Sequence, residues 1–249
     1  MVAKEGVHAD RLGRGQIQIL QDPAVFKFTV DPILVADFLR ANPRDTVLDL
    51  GTGGGVIPLW LAGYRGFQRV TGLELQPEAA RLARESVALN RLSAVVKIIE
   101  GDLRCPPPEV RAEKYAWVVA NPPYLPPSSL LSGNILLDRA KFELTCTLAD
   151  VVKAARDLST GNGRLVMVHL AERLVDVLTT FRSFGFEPKL LRMVHPGPGK
   201  APHRVLVEGH KAGRPHLRIL PPLYIHDEQG RFSEEMTAIY HARQAVAPD

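Results

Sequence analysis

The chain has 249 residues, a formal net charge of +4, a 45% hydrophobic share and two cysteines. That length and apolar share suit one large globular domain with small additions at its ends and exclude a disordered chain. No apolar run approaches the ~18 residues of a membrane helix, no secretory stretch stands at Met1–Gly6, and Cys105 and Cys146 lie far apart without metal-ligand spacing. A cytoplasmic protein with no zinc site, no disulfide, no membrane contact and no obligate protein partner is therefore expected.

In chain order, Gln16-Ile17-Gln18-Ile19-Leu20 alternates like an edge strand. Asp31-Pro32 reads as a helix start, a capping acid before a proline at the first helical position, and the helix runs through Ile33, Leu34, Ala36, Phe38 and Leu39. Thr46–Leu50 is a short buried strand, followed by glycines and a helix from about Val56 to Ala62. Arg69–Glu74 is the second strand of this series, Pro77–Asn90 an amphipathic helix, Val95–Ile99 the third strand and Tyr115–Ala120 the fourth. A loop of roughly twenty residues follows, a length that usually carries function. Then come a helix over Leu148–Leu158, a strand over Arg164–His169, a helix over Ala171–Phe184, and two runs, Lys189–Val194 and Arg204–Glu208, that form an antiparallel hairpin. A tail over Leu220–Tyr240 ends in a short helix. Alternating strands and helices predict an α/β fold, a Rossmann-like sheet of seven mostly parallel strands with helices on both faces. The expected division is an N-terminal extension over 1–45, the main domain over 46–210 and a tail over 211–249.

Asp49-Leu50-Gly51-Thr52-Gly53-Gly54-Gly55 occupies the turn from the first strand of the series into its helix. Glycines there let backbone approach a ligand beside a helix N-terminus. The dinucleotide pattern Gly-x-Gly-x-x-Gly fails, because Val56 stands at its third glycine. Asp49 would repel a pyrophosphate but suits an ammonium, which S-adenosylmethionine carries together with a sulfonium and no phosphate. Glu74 ends the second strand, where a carboxylate can accept from ribose hydroxyls, and Asp102 follows the third, where it can accept from an adenine amino group. Leu75 and Leu103 stand next to them. Each acid alone could equally be a cap or a surface residue. The three together point to S-adenosylmethionine.

Asn121-Pro122-Pro123-Tyr124 follows the fourth strand directly. Two prolines fix the backbone, so Asn121 and the Pro122 carbonyl are held as rigid acceptors. Such acceptors suit an amino or amide nitrogen whose lone pair is conjugated, because they favour its pyramidal transition state. Tyr124 supplies a ring for stacking. Trp60 and Trp117 read as core. Phe28 could be a helix staple or could cover the cofactor.

From Glu187 to Arg218 seven lysines and arginines face two acids, and four histidines share the stretch. Lys189, Arg192, Lys200, Arg204 and Lys211 are the candidate contacts to a phosphate-bearing partner, against the alternative of a solvated basic surface.

These motifs resemble the class I methyltransferases that methylate nitrogen. More narrowly, they resemble the tRNA1(Val) (adenine-N6)-methyltransferase family, through Phe26–Asp31, Asp49–Gly53, Asn121–Tyr124, Val168-His169 with Glu172-Arg173-Leu174, Val194-His195-Pro196, Leu206–Gly209, Pro221-Pro222-Leu223 and Ile239-Tyr240. The resemblance implies that Asn121, Pro122 and Tyr124 hold the target base. It also implies that Phe28, Asp49, Gly51, Gly53, Glu74, Leu75, Asp102, Leu103 and Asn121 surround S-adenosylmethionine, and that an adenosine of RNA, tRNA above all, is the substrate. Ala140-Lys141-Phe142-Glu143 departs from the family's usual Ala-Arg-His-Glu, within the divergent stretch Ser128–Glu143. A protein glutamine, a DNA adenine, or RNA binding without catalysis are the alternatives. The glutamine enzymes usually carry an N-terminal helical domain, for which there is no room before Asp49.

Overall fold

The computed structural model describes residues 7–22, 29–123 and 146–241. The expectations placed on Phe28, Tyr124 and Ser128–Glu143 lie outside these residues. A small hairpin comes first, β1 (His8–Leu12) and β2 (Ile17–Gln21), then α1 (Asp31–Phe38). The alternating series follows: β3 (Val47–Leu50), α2 (Val56–Arg65), β4 (Val70–Glu74), α3 (Pro77–Leu89), β5 (Val96–Glu100), α4 (Pro108–Ala112) and β6 (Tyr115–Ala120). The remaining elements are α5 (Leu148–Leu158), β7 (Ser159–Leu170), a 3-10 turn over Ala171–Arg173, α6 (Leu174–Ser183), β8 (Phe186–His195), β9 (Arg204–Lys211), β10 (Arg218–Ile219), β11 (Leu223–Tyr224) and α7 (Glu234–Tyr240).

Among the described residues the main sheet runs β10-β8-β9-β7-β6-β3-β4-β5, with β11 also pairing β8. The seven expected strands are its long members, to which two two-residue strands are added at the β8 edge. All pairings are parallel except those of β9, which is antiparallel to both β7 and β8. The fold is the Rossmann-like α/β architecture.

Strand residues alternate between two buried layers, as the two-residue pleat requires. Val47, Val70, Trp117, Val119, Val166 and Val168 join α1, α2, α3 and α7 on one face. Leu48, Leu50, Leu73, Val118, Leu165 and Met167 join α5 and α6 on the other. Burial on both faces explains why these strands are runs of Val, Leu and Ile with few polar interruptions. Trp60 and Trp117 are core, as their surroundings in the sequence suggest.

The N-terminal strand departs from expectation in its partner. Among the described residues β2 pairs only with β1, and its other side is tied to side chains of α3 and its cap: Gln18 N donates to Asn90 Oδ1 at 2.9 Å and Leu20 N to Ser86 Oγ at 2.9 Å. The alternation of buried Ile17 and Ile19 with Gln18 is genuine, but the apolar side faces helices. Asp31 is also not the helix cap. Val30 holds that position, and the Asp31 carboxylate accepts from Arg204 Nε at 2.9 Å, a partly buried ion pair between α1 and β9. Among the described residues no helix is long and apolar enough to cross a membrane.

Candidate active site

β3 is the strand at which the chain reverses direction across the sheet. It has β4 on one side and β6 on the other, the arrangement that opens a crevice beyond the carboxyl ends of the strands. Leu50 is in register with both Leu73 and Ala120. The glycine turn after β3, Glu74 at the end of β4 and Asn121 just past β6 therefore share one rim.

Asp49 is fully buried in β3, a costly place for a carboxylate. Thr52 Oγ1 donates to its Oδ2 at 2.6 Å, while Oδ1 has no hydrogen-bond partner among the described residues. Burial pushes the Asp49 carboxyl up to about 7, the Thr52 bond opposes this, and the nearby Glu74 charge adds to it. Thr52 can stand there because residue 72 is glycine: a Cβ on Gly72 would lie 2.8 Å from Thr52 Oγ1. Thr52 was not singled out in the sequence. Its position three residues after the acid, on the returning turn, is the signal that would have found it.

Glu74 organises the turn itself. Its Oε2 accepts from Gly53 N at 2.7 Å and its Oε1 from Gln76 N at 2.8 Å, while burial pushes its carboxyl up. Gly51 and Gly53 adopt φ of +73° and +54°, a left-handed backbone that side chains disfavour, and no atom lies within 4 Å of where a Cβ would stand on either. An open backbone face thus adjoins a buried carboxylate with an unspent oxygen. This donor set fits S-adenosylmethionine: a cationic amino group for Asp49, hydroxyls for the remaining lone pairs of Glu74, and no phosphate to be repelled.

The other predicted residues are less uniform. Asp102 stands two residues past β5, but its carboxylate is gripped by Arg104 (Nε at 3.0 Å, Nη2 at 2.6 Å), which holds its carboxyl below the usual range. Contact with an adenine amino group would have to share that carboxylate with Arg104. Leu75 is exposed and Leu103 packs partly on the second core layer. Asn121 is half-buried, with Pro122 buried behind it.

The structure divides the basic candidates between the two ends of the sheet. β8 runs in the direction of β7, so His195, Lys200 and Arg204 lie at the rim that carries Asn121. Lys189 and Lys211 lie toward the opposite end, where Lys211 Nζ donates to Arg156 O at 2.7 Å and Ser159 O at 3.2 Å at the end of α5, and Lys189 Nζ to Arg214 O at 3.0 Å. Arg192 is committed to Glu235 (2.7 and 3.0 Å) and to Pro221 O, and Arg204 to Asp31. Of the five, Lys200 alone combines an exposed side chain with the Asn121 rim.

Residues 16–175 match the family model described as methyltransferase small domain. A protein of Porphyromonas gingivalis named tRNA1(Val) (adenine(37)-N6)-methyltransferase is 31% identical over 88% of this chain and 89% of its own length. A protein of the same name from Tolumonas auensis is 26% identical over 90% of this chain and 92% of its own. The crystal structure of an Agrobacterium tumefaciens protein described as a predicted O-methyltransferase superposes with a TM-score of 0.69 at 24% identity, covering 88% of this chain and 99% of that one.

Proposed function

The chain belongs to the methyltransferase small domain family and uses S-adenosylmethionine, and from that premise we propose that it methylates the N6 amino group of an adenosine in RNA, tRNA in particular. The observation that carries this reading is the junction of two motifs: the register of Leu50 with Ala120 puts Asn121 beside the Asp49–Gly53 turn. The relatives' name supports tRNA as the substrate class.

S-adenosylmethionine, when bound, supplies an electrophilic methyl carbon on a sulfonium. Asp49, Glu74 and the open faces of Gly51 and Gly53 would hold it. Asn121 Oδ1 and the Pro122 carbonyl act on the acceptor nitrogen. As acceptors for its two hydrogens they draw the nitrogen out of conjugation, so that its lone pair develops as the transition state is approached. The prolines keep both acceptors placed before the substrate arrives, which lowers the cost of alignment. Neither Asp49 nor Glu74 need serve as a base, because the alkylated nitrogen is acidic enough to lose its proton to water.

The test is to incubate the protein with S-adenosylmethionine bearing a deuterated methyl group and unmodified tRNA, digest the RNA to nucleosides, and look for labelled N6-methyladenosine by mass spectrometry. Label in that nucleoside is the expected result. Label in a protein glutamine, or in none of the RNA offered, refutes the reading.

A further inference from the structure

A surface built by the C-terminal tail carries no role in the chemistry above, yet it lies along the same rim. β11 pairs with the last residues of β8, so Tyr224 is in register with His195. Their rings lie 5.4 Å apart. The chain then turns over the β8–β9 loop, where Ile225 N donates to His195 O at 2.9 Å and His226 N to Pro196 O at 3.0 Å. Returning, it places Phe232 in a stacked arrangement on His226, with centroids 5.6 Å apart and planes at 28°. Ser233 closes the turn, its Oγ donating to Tyr224 O at 2.6 Å.

Two features separate this surface from ordinary core. Tyr224 and Phe232 remain 36% and 41% exposed although they sit in a bonded framework. Lys200 stands exposed in the β8–β9 loop, and of the acids in the same turn Asp227 is paired with Arg231 at 3.0 Å while Glu228 is exposed. His195 and His226 each bond a loop carbonyl through Nδ1, Lys200 O at 2.7 Å and Pro196 O at 3.0 Å, which fixes their rings beside Tyr224 and Phe232. Fixed, partly exposed rings with a cation in the same loop make a stacking platform for bases.

We propose that His195, Tyr224, His226 and Phe232, with Lys200, bind unpaired nucleotides of the RNA that flank the methylated one. The inference rests on the RNA reading of the active site and extends it. The distance is appropriate: β11 is four strand spacings from β6, about 19 Å at ~4.8 Å each. About five or six stacked nucleotides at ~3.4 Å per step cover that span. The platform would thus hold the strand several nucleotides from the target and leave the target itself to the Asn121 turn.

The test compares wild type, Tyr224→Ala/Phe232→Ala, and Tyr224→Phe/Phe232→Tyr on the RNA that wild type methylates. Binding is followed by the quenching of 2-aminopurine placed at flanking positions, alongside KM and kcat for the RNA and calorimetric S-adenosylmethionine affinity. The double alanine variant is expected to raise KM for RNA by about tenfold or more and to lose the quench, since a stacked base is worth ~1–3 kcal/mol. Its kcat and cofactor affinity stay within about twofold, and the aromatic variant restores both KM and quench. If wild type methylates RNA and the double alanine variant matches it in KM and quench, the platform is refuted and the active-site reading stands. If wild type methylates a protein or no RNA, both fall together.

Discussion

The two ends of the central sheet are built from the same strands but use their polar groups in opposite ways. At the amino ends of β3, β6 and β7, charged groups are committed to structure. Trp117 Nε1 donates to Asp45 at 3.1 Å, the Arg164 guanidinium lies 4.6 Å over the Trp117 ring, and Lys114 and Lys211 donate to carbonyls at the end of α5. At the carboxyl ends, a fully buried Asp49 keeps one oxygen without a partner among the described residues, and the neighbouring glycine turn leaves its backbone face uncovered. A buried carboxylate with an unmet oxygen costs stability, and among the described residues Glu208 on β9 has one too, but of the two it is Asp49 that adjoins an open glycine backbone face, which suits it to a ligand that supplies positive charge.

The contrast breaks most severely if Asp49 is neutralised. Asp49→Asn is expected to weaken S-adenosylmethionine binding at pH 8 by on the order of 100-fold, from loss of the charge-assisted contact. The same change is expected to stabilise the fold at that pH. A carboxyl pushed up to about 7 contributes stability below its unfolded value and loses it as pH rises through about 7. At ~1.4 kcal/mol per pH unit, removing the charge recovers up to a few kcal/mol, so melting at pH 8 rises while melting at pH 4 changes little. In wild type, calorimetric cofactor affinity should climb as pH rises toward about 7 and then level off. A flat profile would show that the ionised form is not what binds.

Next in size is the Asp31–Arg204 pair, which ties α1 to the rim of β9. Arg204→Ala leaves a buried carboxylate without its guanidinium and is expected to cost about 3 kcal/mol in urea denaturation. A loss below about 0.5 kcal/mol would class the pair with solvated surface bridges. Gly72→Ala is expected to be milder, ~1–3 kcal/mol, because its Cβ would meet Thr52 and Ile98 at 2.8–2.9 Å. Its signature is a selective loss of cofactor affinity as Thr52 is displaced from Asp49. The smallest effect belongs to the opposite end. Lys211→Gln should cost about 1 kcal/mol or less through the end of α5 and leave RNA affinity within about twofold. A strong loss of RNA binding would return Lys211 to the substrate surface.

Much of this was legible in the sequence. Periodicity placed the alternating strands and helices, since strands buried on both faces read as continuous Val, Leu and Ile. The glycine turn and the acids of successive strands were legible because they depend on local spacing and parallel order. What was hidden depends on pairings distant in sequence. Asp31 before Pro32 has the chemistry of a cap, and only the approach of β9 turns it into the partner of Arg204. The basic residues between Glu187 and Arg218 read as one patch, but β9 runs against β8 and sends Lys211 to the end away from Lys200. The ring platform escaped notice because Tyr224 and Phe232 lie in short irregular segments without a repeating pattern.

The most direct test of the account is single-turnover methyl transfer by Asn121→Ala, with S-adenosylmethionine affinity measured calorimetrically on the same preparation. Removing one preorganised acceptor should lower the transfer rate by about 100- to 1,000-fold while cofactor affinity stays within about threefold. A variant that transfers methyl at the wild-type rate would contradict the assignment of the chemistry to this turn.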